Sequence, residues 1–336
     1  MAFAHTTVLA LETATAIVDA ARHVHGQAGR ALVVDATVGG GGHSAAVLEG
    51  AAELPQLQVL GIDRDPAALA AASARLAPFG NRFVAVHGQF GALPVLVAQA
   101  GLAQWPLAGV IADLGVSSPQ FDEAERGFSF RFDGPLDMRM DPSQGETAAH
   151  KLATIKLEDL ADVLYQYGDI TRSIGTARIV LEEFNKGATT TGLLAQRLAA
   201  RLKHNRSMHP ATQVFQALRI WVNGEYAELD ALLDKVPWTL HDGGALAVIS
   251  FHSGEDRPTK HRFAELARTG QFRLPIRKGV VPGDAESHNN VRARSARMRV
   301  LVRGEPSAAA RYLATKKGVD DDDAEQDDEE NISEER

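Results

Sequence analysis

Asp113 ends an apolar run, Ala108–Ala112, and opens a segment that runs Leu-Gly-Val-Ser-Ser-Pro-Gln and then continues to Pro142, dense in charge, Phe and Gly. An ordinary connection after a strand needs only about four to six residues. This one gathers carboxylates, guanidiniums and aromatic rings at the end of what reads as a core strand. A carboxylate at that place can accept hydrogen bonds from an amine. Ser117, Ser118 and Pro119 make a stiff turn beside it. Phe121, Phe128, Phe130 and Phe132 are candidate faces for stacking a planar polar ring, although each ring could equally pack the segment onto the rest of the protein. The combination suits chemistry on a flat, polar substrate.

A second cluster lies upstream. Asp35-Ala-Thr-Val-Gly39-Gly-Gly41-Gly42-His43 joins a short β-rich run to a helical pattern. Glycines there let the backbone approach a ligand, because no Cβ intervenes and positive φ is allowed. The dinucleotide fingerprint needs a third glycine where this chain has Ser44. The acid four residues before Gly39 fits the D-x-x-x-G-x-G pattern of S-adenosylmethionine-dependent methyltransferases better. Asp63 ends the next apolar run, 22 residues after Gly41, where a carboxylate can accept both ribose hydroxyls of an adenosine cofactor. Phe90 follows the third such run and can pack on an adenine ring.

The elements that must position these groups alternate. Strands are expected at 31–35, 58–62, 82–86 and 108–112, with helices at 11–21, 44–54, 67–76 and 94–100. That rhythm predicts βαβ units and a parallel sheet. From about Thr147 to Leu233 only helical patterns follow. His241-Asp-Gly-Gly reads as a turn, and strands resume at 245–250 and 296–302. The expected fold is therefore α/β, an open Rossmann-like sheet interrupted by a helical domain. The expected divisions are 1–120 and 237–305 for the sheet domain, 121–236 for the insert and 306–336 for an acidic tail.

Composition narrows the chemistry. The chain of 336 residues has no cysteine. Disulfides, zinc–thiolate sites and iron–sulfur clusters are excluded, and no metal is expected. Methylation of a pyrimidine at carbon 5 normally needs a Cys nucleophile, and radical methyl transfer needs cysteine-bound iron–sulfur, so both routes are closed. Displacement by nitrogen or oxygen is left. The net charge of −8 is dominated by residues 320–336, which hold eleven acids and one Arg. The body is near neutral and can still carry a basic face, with candidates at 197–206, 257–262 and 292–299. No apolar stretch approaches the roughly 20 residues of a membrane span, and the N-terminus lacks a secretory pattern, so a cytoplasmic location is expected.

Seven segments carry a resemblance: HTTVL (His5–Leu9), DATVGGGGHS (Asp35–Ser44), GIDRDP (Gly61–Pro66), Asp113–Gly145, HPATQVFQALRIWVN (His209–Asn223), ISFHSGEDR (Ile249–Arg257) and VRARSARMRV (Val291–Val300). Together they make the chain similar to the bacterial 16S ribosomal RNA cytosine-N4 methyltransferases. The resemblance implies a class I S-adenosylmethionine-dependent methyltransferase sheet with a helical insert. It implies methylation of the N4 amine of one cytidine in the decoding region of 16S rRNA, with the small ribosomal subunit as partner. It implies cofactor contacts from Gly41, Gly42, His43, Asp63, Phe90, Asp113 and Gln120. For the catalytic step, Asp113 with Ser117, Ser118 and Pro119 is expected to place the amine. Asp137, Arg139, His252 and Ser253 are weaker candidates for holding the nucleotide. The insert can serve as an RNA clamp or as a homodimer surface. Gly254 and Pro258–Thr259 depart from the family's usual apolar residues, and a Pro there is expected to alter the helix, since it fits only the first turn. A DNA amino-methyltransferase would share the cofactor loop and the amine chemistry, and a non-catalytic ribosome-assembly factor would share the RNA contacts. An NAD-dependent oxidoreductase is opposed by Ser44.

Overall fold

A computed structural model describes residues 7–203 and 209–305. The acidic tail expected at 306–336 lies outside the described residues. The sheet domain begins with α1 (Ala10–Ala28), β1 (Ala31–Asp35), α2 (Gly42–Gly50), β2 (Leu57–Asp63), α3 (Pro66–Leu76), β3 (Phe83–His87), α4 (Leu93–Gln99) and β4 (Leu107–Asp113). After β4 come the short α5 (Ser118–Asp122) and the helices α6 (Ala148–Thr154), α7 (Leu157–Gly168), α8 (Ser173–Asn185), α9 (Thr191–Arg201) and α10 (Thr212–Asn223). The chain then returns through α11 (Glu225–Thr239), β5 (Leu240–Ser250), α12 (Ser253–Arg268), β6 (Phe272–Arg273), α13 (Asp284–Asn289) and β7 (Arg297–Arg303).

The sheet order is β3-β2-β1-β4-β5-β7-β6. β1 to β5 are parallel, and β7 runs antiparallel to both β5 and β6. Side chains alternate between faces, as period-two geometry requires. Ala245, Ala247 and Ile249 of β5 join the core under α1 and α2, while Leu246 and Val248 join the core under α4, α11 and α12. With both faces covered, the central strands β1 and β4 are apolar up to their closing Asp rather than alternating. Each fully buried Leu, Ile or Val contributes about 1.5–3 kcal/mol of transfer free energy. Strand order reverses between β1 and β4, so their carboxyl ends open the crevice where such sheets take ligands.

The insert has its own core. Leu160 and Leu164 of α7, Val180 of α8, Leu194 and Leu198 of α9, and Val214, Phe215 and Leu218 of α10 pack together with Phe128, Leu136 and Met138. α11 does not belong to it: Leu229, Leu232, Leu233 and Val236 pack on the sheet with Leu93, Val110 and Phe263. The insert thus closes at Asn223, earlier than the boundary at 236 expected from helical pattern alone. Gly224, at φ +63, ends α10 and turns the chain back to the sheet.

Three local expectations are corrected. α1 runs seven residues past Ala21 to Ala28, where Gly29 at φ +72 caps it by donating to the His25 carbonyl. The His241–Gly244 turn lies within β5 as a bulge. Across it, β5 advances from Leu240 to Ala245 while β4 advances only from Leu107 to Gly109. Pro258 sits inside α12, which starts at Ser253 and continues to Arg268 without ending at the Pro. Among the described residues no helix is long and apolar enough to cross a membrane.

Candidate active site

The floor of the crevice is built from strand ends. Asp35, at the end of β1, is buried and accepts the Ser44 hydroxyl at 2.7 Å. Burial, with the nearby Asp113, holds its pKa above the ordinary carboxylate value, although His43 and Ser44 pull the other way. The glycine loop then crosses to α2. Gly41 takes φ +76, and a Cβ on it would lie 3.1 Å from Leu76 Cδ1 and 3.3 Å from Ala72 Cα. A Cβ on Gly42 would overlap Thr7 Oγ1. The loop is therefore held between α3 and the N-terminal residues, a fit that side chains would block.

Asp63, at the end of β2, accepts the Gly39 N–H on Oδ2 and the Asp65 N–H on Oδ1, each at 2.9 Å. Each oxygen retains a lone pair for a ligand hydroxyl. Burial raises its pKa to about 6, and the charges of Asp65 and Asp35 add to that rise. Asp65 caps α3 through the Ala67 N–H at 3.0 Å. Its other oxygen accepts Gln120 Nε2 and Arg126 Nη1, each at 2.9 Å. Gln120 Oε1 meanwhile accepts the Ser117 N–H at 3.0 Å. Gln120 is thus a brace that ties α5 to the start of α3, with both ends of its amide engaged.

Asp113 stands at the end of β4. Its N–H donates to Thr37 Oγ1 at 2.7 Å. Its Oδ2 lies 3.5 Å from His43 Nε2. Its Oδ1 is buried and has no hydrogen-bond partner among the described residues. Burial by itself would lower the His43 pKa. The hydrogen bond and charge of Asp113, helped by Asp35, outweigh that and hold His43 above its usual value.

Facing this floor is a wall made of side chains from α10, α11 and α12. Arg219 forks onto Glu225 at 2.8 and 2.9 Å and reaches Glu255 at 3.9 Å. Glu255 accepts the Phe251 N–H at 2.8 Å and lies 3.1 Å from His252 Nε2. Burial would raise the pKa of Glu255, but His252, Arg219 and the Phe251 N–H bring it below the ordinary value. Tyr226 meets Tyr167 edge to face at 5.2 Å, and its ring centroid is 6.3 Å from that of His252. Burial and the surrounding carboxylates push the pKa of its hydroxyl up, so it stays protonated. Asn223 joins the two halves: it accepts the Met140 N–H at 2.8 Å, and its own carbonyl accepts Arg64 Nη1 at 2.7 Å.

Floor and wall enclose a cavity of about 630 Å³. Of the residues singled out from sequence, Gly42, His43, Asp63, Phe90, Asp113, Ser117, Ser118, Gln120 and His252 line it. Gly41 lies behind the loop against α3, and Pro119 occupies the first turn of α5 away from the lining. Asp137 and Arg139 pair with each other at 2.8 Å, outside the cavity. The Ser253 hydroxyl donates to Asp169 at 3.1 Å instead of facing the crevice. Arg219, Glu225, Tyr226 and Glu255 were not singled out from sequence. Arg219 and Glu255 do fall in the two motifs HPATQVFQALRIWVN and ISFHSGEDR, and for Arg219 a charged residue on an otherwise apolar helix is the available signal.

Comparison with known proteins agrees with this geometry. The model of the MraW methylase family matches residues 2–304. The ribosomal RNA small subunit methyltransferase H of Sorangium cellulosum is 43% identical over 303 residues, covering 89% of this chain and 90% of that protein. The protein of the same name from Gloeobacter violaceus is 45% identical over 281 residues, covering 83% and 84%. That from Myxococcus xanthus is 43% identical over 318 residues, covering 89% and 97%. An open sheet with a glycine loop and strand-end acids, matched along nearly its whole body, places the chain in the MraW methylase family.

Proposed function

We propose that this methyltransferase moves the methyl group of S-adenosylmethionine to the N4 amine of a cytidine in the decoding region of small-subunit ribosomal RNA. The cavity floor fits the cofactor. Asp63 keeps lone pairs for the ribose hydroxyls, Gly39 and Gly42 line the cavity beside it, and Phe90 follows the third strand at the same edge. Bound there, the cofactor supplies an electrophilic methyl group.

The chain's own residues have to make a poor nucleophile competent. An exocyclic amine delocalises its lone pair into the ring, and a fixed acceptor that takes its N–H aligns the nitrogen with the methyl carbon. The observation that carries this reading is Asp113 Oδ1, a buried carboxylate oxygen without a hydrogen-bond partner among the described residues, at the cavity floor. His43 Nε2 stands 3.5 Å from the other oxygen. His252, fixed by Glu255, stands on the opposite wall and is assigned to hold the base. Ser117 and Ser118 border Asp113 on the same lining. The absence of cysteine supports nitrogen over carbon 5 as the acceptor.

The test is mass spectrometry of nucleosides from small-subunit RNA of a deletion strain, with and without this gene restored. N4-methylcytidine should vanish on deletion and return on restoration. Unchanged N4-methylcytidine, or label from S-adenosylmethionine that enters DNA alone in a reconstituted assay, would sink the proposal.

A further inference from the structure

The four phenylalanines after β4 divide by environment. Phe128 is in the insert core, and Phe130 packs on His209 and Phe215 at 4.7 and 5.1 Å. Phe121 and Phe132 are 38% and 50% exposed. Both exposed rings carry a guanidinium. Arg292 stands over Phe121 at 5.2 Å, and Arg131 over Phe132 at 5.7 Å. Arg131, Arg292 and Phe121 all border the cavity. The two stacks come from distant parts of the chain, one joining α5 to the segment after α13, the other on the way into the insert.

Leaving two large rings in water, Phe121 on the cavity lining and Phe132 next to the lining residue Arg131, costs apolar hydration that a folded core would avoid. Arg292 is held in place by Asp122 at 2.7 Å. Among the described residues no carboxylate is paired with Arg131, so its charge is available. An aryl ring backed by a guanidinium offers a stacking face with positive charge beside it, which matches an unpaired base and its phosphate. A base inside a duplex has both faces covered and cannot use such a platform.

From these stacks we infer that the rim holds the nucleotides flanking the target, unstacked from one another, and that the enzyme takes its RNA as a locally single-stranded segment. This rests on the proposed RNA substrate. Phe121 with Arg292 and Phe132 with Arg131 are two such platforms, and the target base enters between them.

The experiment uses the full chain, small subunits from a deletion strain, and a short RNA carrying 2-aminopurine beside the target cytidine. Phe121→Leu and Phe132→Leu should each raise the KM for subunits about tenfold, with kcat and S-adenosylhomocysteine affinity within twofold of wild type. Phe→Trp at either position should restore KM. Wild type should quench 2-aminopurine in the single strand and not in the matching duplex, and the Leu variants should lose the quenching. If wild type methylates subunits while both Leu variants keep KM within twofold and quenching is unchanged, the inference falls alone. If wild type transfers no label to small-subunit RNA, the functional reading falls and takes the inference with it.

Discussion

The floor and the wall of the same cavity are held by different forces. Gly39, Asp63 and Asp65 are fixed by backbone N–H groups within a few residues of strand ends. Arg219, Glu225, His252 and Glu255 are fixed by one another, across α10, α11 and α12. A backbone-held carboxylate keeps its geometry when a neighbour is changed. A buried ionic network loses partners one by one, and each loss leaves a charge without compensation. The floor is accordingly suited to an invariant ligand such as a cofactor. Under the proposed function the wall is where substrate preference can be altered, at a cost in stability.

The largest effect that separates the two belongs to Asp113. Asp113→Ala should lower single-turnover label transfer to small subunits by about 10²–10³-fold, the scale of losing one preorganised partner of the reacting group. A loss under about tenfold on that scale would mean that the amine is held from the wall, and the division of labour would reverse. Next comes Glu255→Ala. It leaves the part-buried Phe251 N–H without its acceptor and removes the carboxylate beside His252, while Arg219 keeps its fork onto Glu225, so unfolding free energy should fall by about 2 kcal/mol, read by urea denaturation. Asp63→Asn should cost far less by the same measurement, because the acceptor oxygen that Asn retains can still take one backbone N–H. Equal losses for the two variants would erase the contrast.

The same contrast explains what was legible in the sequence. Asp35, the glycines and Asp63 lie at the ends of short apolar β-rich runs, and strand-end chemistry follows from such runs and the breakers that bound them. β1 was located to the residue for that reason. The wall depends on Gly224 turning α11 back, which brings Glu225 onto Arg219, and on α12 starting at Ser253, which sets Glu255 beside His252. The Arg219–Glu225 contact has no local periodicity, and the i,i+3 spacing of His252 and Glu255 becomes a contact only once the helix start is fixed. The boundary at 236 failed on the same ground: α11 has a helical pattern like its predecessors, and only packing shows that Leu229 and Leu233 face the sheet. Ser253 and Asp137 are polar residues in matched motifs, yet their side chains are spent on Asp169 and Arg139.

A smaller test addresses the floor by pH. In the proposed cofactor site Asp63 has to be ionised to accept two ribose hydroxyls, and burial puts its pKa at about 6. Cofactor affinity should therefore be constant well above that pH and weaken as pH falls through it. The limiting slope is about tenfold per unit, since one proton is exchanged for the ligand. Calorimetry with S-adenosylhomocysteine from pH 8 to pH 5 reads this, with both limits chosen to be about one to two units from the expected midpoint. Asp63→Asn should bind more weakly at high pH and show no such slope. A wild-type curve flat through pH 6 would put the ribose on a different acceptor.

The smallest effect tests how tightly the wall is packed. Gly254 lies in the first turn of α12, where replacing Gly by Ala would ordinarily gain up to about 1 kcal/mol of helix propensity. Here a Cβ would overlap Tyr226 Oη and come within 2.9 Å of Cζ. Overpacking of this kind costs about 1–3 kcal/mol, so Gly254→Ala should be destabilising by a net of about 1 kcal/mol. Tyr226→Phe removes the oxygen and should recover most of that loss in the double variant, giving a coupling energy that independent sites lack. If Gly254→Ala is neutral or stabilising, Tyr226 moves freely and the wall is softer than its ion pairs imply. If the cost persists unchanged with Tyr226→Phe, it comes from the helix start at His252 and not from the tyrosine.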